Sequence, residues 1–160
     1  YDEWAFKHPG PIDFKRVMER ESGLELDTYF QYMLNSTHHV DVAITAVRIT
    51  KDSTFIDLER IGKLPLPVDL RVTAADGRVM DHHIPQVVTQ GHRPLADGEA
   101  LLPAWPWTHP TYTVALAGSM PGSTIEIDPD GWTADANRKN NTVTFESGLL
   151  QEWRGPALDR

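Results

Sequence analysis

One switch in hydrophobic period, at Asn35, constrains this chain more than any other feature. Up to that residue the apolar positions recur every three to four residues; beyond it they alternate. A helical period laid onto a sheet would turn apolar groups to water, so the chain reads as a short helical lead followed by a larger body of strands. In GPIDFKRVMERESG, Pro11 stands at a first helical position and Gly23 where a C-terminal cap belongs, with Phe14, Val17 and Met18 as an i, i+3, i+4 stripe. In LELDTYFQYMLN, Leu26, Tyr29, Phe30, Met33 and Leu34 share one face. That face is wide for so short a helix and predicts a large surface to pack against.

Beyond Asn35, VDVAITAVRI alternates through Val40, Val42 and Ile44, then slips phase to Val47 and Ile49. A slip of one residue exchanges the two faces of a strand, so a bulge or a strong twist is expected near Ala46. Ile56 and Leu58 in TFIDLER, and Val68, Leu70 and Val72 in PVDLRVTA, read as inward-facing, and Asp76-Gly77 as a hairpin turn into RVMDHHI. TYTVALA, STIEID and NTVTFE supply further short strands. Such spacing without βαβ alternation predicts a mainly β fold: an antiparallel immunoglobulin-like β-sandwich preceded by two short α-helices. Weak periodicity from Ser147 to Arg160 predicts a frayed tail.

The 160 residues suffice for one compact domain with a core, and no apolar run is long enough to span a bilayer. A net charge of −8 argues against nonspecific nucleic-acid binding and against a polybasic membrane anchor. The chain contains no cysteine, which removes disulfides, thiolate nucleophiles and Cys-type zinc sites. YDEWAFKHPG has neither a basic end nor an apolar stretch, so it does not read as a signal peptide. The compartment stays open.

Candidate chemistry is sparse. The stretch IDPDGWTADANRKNN brings Asp128, Asp130 and Asp135 together, as a calcium loop would. Counted from Asp128, however, the fifth position is Trp132, the sixth Thr133 and the twelfth Lys139, where an EF-hand needs an oxygen ligand, Gly and Glu. The alternative is a strand stopped at Asp128-Pro129 and a turn at Asp130-Gly131, with Asp128, Asp135 and Asn137 capping or bracing backbone groups. His38-His39 and His82-His83 are adjacent pairs; strand neighbours point to opposite faces, so neither pair chelates one ion from one face, and they read as loop and strand-edge histidines. H-E-x-x-H and G-x-S-x-G are absent. The long Pro- and Gly-rich segment from Gln86 to Pro110 carries Trp105 and Trp107, which either cover an open end of the sandwich, meet a partner, or form a ligand platform.

HPGPIDFKRVMERESGLELDTYFQYMLNST resembles the end of the catalytic domain in the M1 family of zinc aminopeptidases, the gluzincins, through Pro11, Asp13, Phe14, Ser22-Gly23, Leu26-Asp27 and Phe30. Met33 stands where many members have Trp. VDVAI, LERIGKLPLPVDLRVTAADG, WPWTHPTYTVAL and IDPDGWTADANRKNN resemble the β-sandwich domain that follows in bacterial members, so the likeness spans roughly residues 4 to 145. The family's zinc-binding H-E-x-x-H, its later Glu and its G-x-M-x-N motif are absent from these residues, so no catalytic or metal-binding residue carries over.

What the resemblance implies is a helical end of a thermolysin-like domain over residues 1–36, a sandwich over 37–146 and a tail over 147–160. The chain would then be non-catalytic, without a cofactor of its own, zinc belonging to the parent's catalytic domain. Its partner would be that domain, with self-association through the helices when they stand alone. The residues assigned to an interface are Trp105, Trp107, Tyr29, Phe30 and Met33. The competing reading is an independent immunoglobulin-like module that uses the Trp-bearing loop to bind a glycan or peptide; a small hydrolase with convergent carboxylates or histidines is a third.

Overall fold

The computed structural model describes residues 4–144 and 152–155. It opens with helix α1 (Pro11–Ser22) and helix α2 (Asp27–Asn35). Pro11 takes the first helical position, where its missing N–H costs nothing, and Asp13 Oδ2 accepts the Gly10 N–H at 2.9 Å. Gly23, at φ 68°, closes the helix with its N–H on the Glu19 carbonyl at 2.8 Å. Neither helix buries a residue, although Tyr32 packs against the core. They are tied to the body chiefly through the segment between and beyond them: the Glu25 N–H donates to the Thr89 carbonyl at 2.8 Å, and Leu24 closes on Gly91 so tightly that a Cβ there would lie 3.0 Å from Leu Cδ2.

Among the described residues nine strands follow: β1 (Val42–Ile49), β2 (Ser53–Arg60), β3 (Val68–Thr73), β4 (Val79–Ile84), β5 (Ala100–Leu101), β6 (Thr111–Ala117), β7 (Thr124–Ile127), β8 (Thr142–Thr144) and β9 (Glu152–Arg154). They form two sheets, ordered β6-β2-β1-β9 and β5-β4-β3-β7-β8. Among the strands of the described residues the expectation of purely antiparallel pairing holds except at β4 and β5, which run parallel; the isolated bridges Val40↔Asp135 and Gln86↔Trp105 are parallel too. The long Pro-rich connection makes this possible, because it carries the chain back before β5 is laid down. The expectation of a frayed tail fails at Glu152–Arg154, which pairs with β1 through Ala46↔Arg154 and Arg48↔Glu152. The unpaired edge of β1 offers a row of backbone groups that outweighs weak local periodicity.

The phase slip in β1 is a bulge. Register shifts between Ile44 and Ala46, and the extra residue, Thr45, turns its hydroxyl to the Asp57 carbonyl at 3.1 Å. This returns Val47 and Ile49 to the face that Val42 and Ile44 occupy before it, and all four are buried. Their cluster takes in Ile56 and Leu58 of β2, Val114 and Leu116 of β6, and, from the other sheet, Val68, Leu70, Val72, Ile84, Ile125, Ile127 and Val143. Both sheets therefore contribute to one core. The β3–β4 hairpin turns at Gly77, φ 86°, as Asp76-Gly77 predicts.

Register assigns every residue of the second sheet a face. Val68↔Ile84, Leu70↔His82 and Val72↔Met80 look into the core, and so Asp69↔His83 and Arg71↔Asp81 look out, with Glu126 beside Arg71. The outer face of β3 and β4 is thus polar by construction, and the connection from Gln86 to Glu99 crosses it.

Candidate functional site

On that outer face four ionisable side chains meet. Asp69 and His83 are direct cross-strand partners, and His83 Nδ1 lies 2.6 Å from Asp69 Oδ1. The same Asp69 oxygen accepts from Arg93 Nη2 at 2.9 Å, and Arg93 also forks onto Glu99, 2.7 Å and 2.5 Å to its two carboxylate oxygens. Glu99 in turn accepts the Ala96 N–H at 2.9 Å, which folds the turn that carries it. A neighbouring pair, Arg71 and Asp81, joins bidentately at 2.7 and 3.1 Å, with Asp130 at 3.4 Å from Arg71. A cavity of about 220 Å³ opens beside the cluster, lined among others by Leu24, Asp69, His83, His92, Arg93 and Trp132.

The electrostatics follow from these contacts. Partial burial pushes the Asp69 carboxyl up, but the hydrogen bond from His83 and the charge of Arg93 outweigh it, so its pKa lies below the ordinary carboxylate value. Hydrogen bonding to Arg93 likewise holds Glu99 down against burial, and Glu99 holds the Arg93 guanidinium up. An ionised Asp69 only accepts, so His83 Nδ1 carries the proton in their bond, which leaves the other ring nitrogen, Nε2, outside it. That Nε2 is buried and has no hydrogen-bond partner.

Asp69, His83 and Glu99 each offer a ligand atom within 4.8 Å of the others. Arg93, however, donates to both carboxylates and occupies the cation's place between them. The cluster is a strap: it clamps the 86–99 connection to the sheet. A second acidic group, Glu19, Glu25 and Asp27, is closed by Lys15, which pairs with Asp27 and lies 3.7 Å from Glu19.

His82 and His83 point to opposite faces, as strand alternation requires, yet they are not the strand-edge histidines their polarity suggests. Both are buried, His82 at 8% exposure on the core face opposite Leu70 and His83 at 2%. The signal that identifies His83 is its pairing with Asp69, which needs the β3–β4 register and is invisible in a linear reading. Burial lowers the His82 pKa. A base whose folded pKa is depressed contributes stability that is fully present above its unfolded value, about 6.5, and is lost as pH falls below it. The expected result is a urea midpoint lower at pH 5.5 than at pH 7.5, with His82→Leu shrinking that difference; an unchanged difference in the variant would assign the acid loss to other groups.

The tryptophans divide. Trp105 is fully buried, so of the residues assigned to an interface it presents no surface. Its indole N–H donates to the His109 carbonyl at 2.8 Å, Tyr112 stacks on it at 5.3 Å between centroids, and Arg60 lies over it at 5.6 Å. Trp107 is half-exposed on a groove of about 490 Å³ with Asp27, Thr28, Gln31, Tyr32 and Val88. Tyr29 and Met33 are exposed, while Phe30 is half-buried against the edges of Phe14 and Tyr29. Trp132, at 85%, is the most exposed tryptophan among the described residues.

The IDPDG stretch is a brace. Asp128, at φ 49°, ends β7 and accepts the N–H groups of Trp132 and Thr133 at 2.8 and 3.0 Å, while Arg138 donates to its carboxylate at 2.8 Å. Asp135 accepts from the backbone of Val42 at 3.2 Å and of Asn137 at 2.9 Å.

Compared with protein-family models, with curated proteins and with solved structures, the chain finds no match in any of the three. Among the described residues no helix is long and apolar enough to cross a membrane.

Proposed function

We propose that this chain is a non-catalytic supporting module: an immunoglobulin-like β-sandwich whose helical lead packs against the zinc-peptidase catalytic domain of the same parent chain, as its resemblance to the M1 aminopeptidases implies. The observation that carries the supporting role is the bare apolar surface of the two helices. Ile12, Phe14, Met18, Met33 and Leu34 are between 43% and 67% exposed on elements that bury nothing. Apolar side chains gathered on one short segment mark a surface that docks. Covering the exposed half of each contributes about 1 kcal/mol, so the five together add up to a substantial docking energy. The identity of the parent rests on the quoted sequence motifs alone.

The isolated chain is then expected to self-associate as its concentration rises, and a Phe14→Glu, Met33→Glu double variant to stay monomeric in light scattering. Because both positions are exposed, the double variant should keep its thermal stability within about 0.5 kcal/mol per site. A wild-type chain that stays monomeric and binds no apolar dye would sink the docking role. Turnover of an aminoacyl substrate by this chain with added zinc would overthrow its non-catalytic character.

A second reading, an independent module that binds a glycan or peptide through the Trp-bearing loop, is favoured by one observation, the half-exposed Trp107 on its groove. It predicts a ligand-dependent change in Trp fluorescence that Trp107→Phe removes, whereas the supporting role predicts none.

A further inference from the structure

We propose that His83 and His92 form a binding site for a borderline divalent metal, zinc, nickel or copper, on the outer face of the β3–β4 hairpin. Two imidazoles are prepared for the same task. His83 gives its Nδ1 proton to the Asp69 carboxylate at 2.6 Å, and His92 has its Nδ1 at 2.7 Å from the Arg93 carbonyl, an atom that only accepts. With Nδ1 protonated in that bond, the neutral form of each ring has its lone pair on Nε2. A carboxylate or a backbone carbonyl on the far nitrogen is the arrangement that orients a metal-binding imidazole and raises its basicity.

The rings are close enough to share an ion. Their centroids lie 6.3 Å apart, and both line the same cavity of about 220 Å³. Two imidazoles bound to one tetrahedral zinc at about 2.0–2.1 Å have centroids about 5 Å apart, so a movement of about 1 Å completes the pair. His92 is exposed and free to make it; His83, held by Asp69 and at 2% exposure, is not. The buried Nε2 of His83 has no hydrogen-bond partner, and a metal ion would take its lone pair instead. The local charge also fits. Asp69 and Glu99 carry two negative charges against one positive on Arg93, which already spans both carboxylates, so the incoming cation meets a net negative neighbourhood. Imidazole nitrogen selects zinc, nickel and copper over magnesium and calcium. The remaining coordination positions are left to water or to a small exogenous ligand.

The test is a titration of the full chain with zinc ion alone, read by imidazole nitrogen and proton resonances. The His83 and His92 signals are expected to move together along one saturating curve. His92→Ala, a change at an exposed position that leaves the fold intact, is expected to weaken that curve at least tenfold and to remove the response of His83; His38→Ala and His109→Ala leave both unchanged. Loss of the Asp69 partner in Asp69→Asn is expected to weaken binding about tenfold or more. A His83 signal that stays still at saturating zinc, or one that moves identically in His92→Ala, overturns the site.

Discussion

Trp105→Ala lowers stability by about 3–5 kcal/mol, the cost of removing a fully enclosed large aromatic and leaving a void that its surroundings refill only in part. At a few degrees per kcal/mol for a chain of this size, the thermal midpoint falls by roughly 10–15 °C. Trp105 concentrates several contacts in one side chain. It is fully buried, its N–H satisfies the His109 carbonyl, Tyr112 stacks against it, and Arg60 lies over its ring. Its backbone is bound as well, with N–H to the Pro85 carbonyl at 2.7 Å and carbonyl to the Val87 N–H at 3.2 Å. The 86–110 connection is therefore anchored near its C-terminal end by this residue. Trp107→Ala, two positions on, is expected to cost less than about 1 kcal/mol because half of that side chain already faces water. Paired denaturation curves decide the matter. A Trp105→Ala loss no larger than that of Trp107→Ala would mean that the connection is held by the Arg93 strap instead.

Local pattern was enough for both helices, for the strands other than β5 and β9, and for most of the core. Val42, Ile44, Val47 and Ile49 announce a bulge because a phase slip is the only way to keep four β-branched residues on one face. Pro11 and Gly23 mark their helix ends through backbone restrictions that need no tertiary context. What a linear reading misses is whatever depends on which strands become neighbours. The parallel pairing of β5 with β4 and the docking of Glu152–Arg154 on β1 arise from edges that exist only once the sheets are formed. The Asp69–His83 pair is of the same kind: the residues are 14 apart in sequence and adjacent only through the hairpin register. Arg93 and Glu99 join them from a connection whose sequence, rich in Pro and Gly, signals a turn and no more. The helical lead was legible as an amphipathic surface left exposed when it stands alone, whereas the packing of Tyr32 on the core was not, since that contact is a property of the whole molecule.

Asp128→Ala is the second large effect, a loss of about 2–4 kcal/mol, and it separates the two readings of the aspartate-rich stretch. The carboxylate ties down two backbone N–H groups, on Trp132 and Thr133, and neutralises Arg138, which reaches it and also donates to the Asp128 carbonyl at 2.9 Å. Asp128 is 4% exposed, so removing its side chain leaves part-buried donors without their acceptor, the costly half of the hydrogen-bond asymmetry. The backbone adds to this. Asp tolerates the left-handed φ of 49° better than Ala does, by roughly 1 kcal/mol. Asp128→Asn keeps one acceptor oxygen and the same tolerance, and its loss is expected to be about half as large. In this account Arg138 is the built-in counter-ion, and the carboxylate oxygens that a calcium ion would need are already spent on donors. Millimolar calcium should therefore leave the thermal midpoint of the wild-type chain where it is. Binding to the folded state would raise the midpoint with the logarithm of calcium concentration. Such a rise, abolished by Asp128→Asn, would show that Arg138 yields its place to a cation and that the stretch is a metal loop after all.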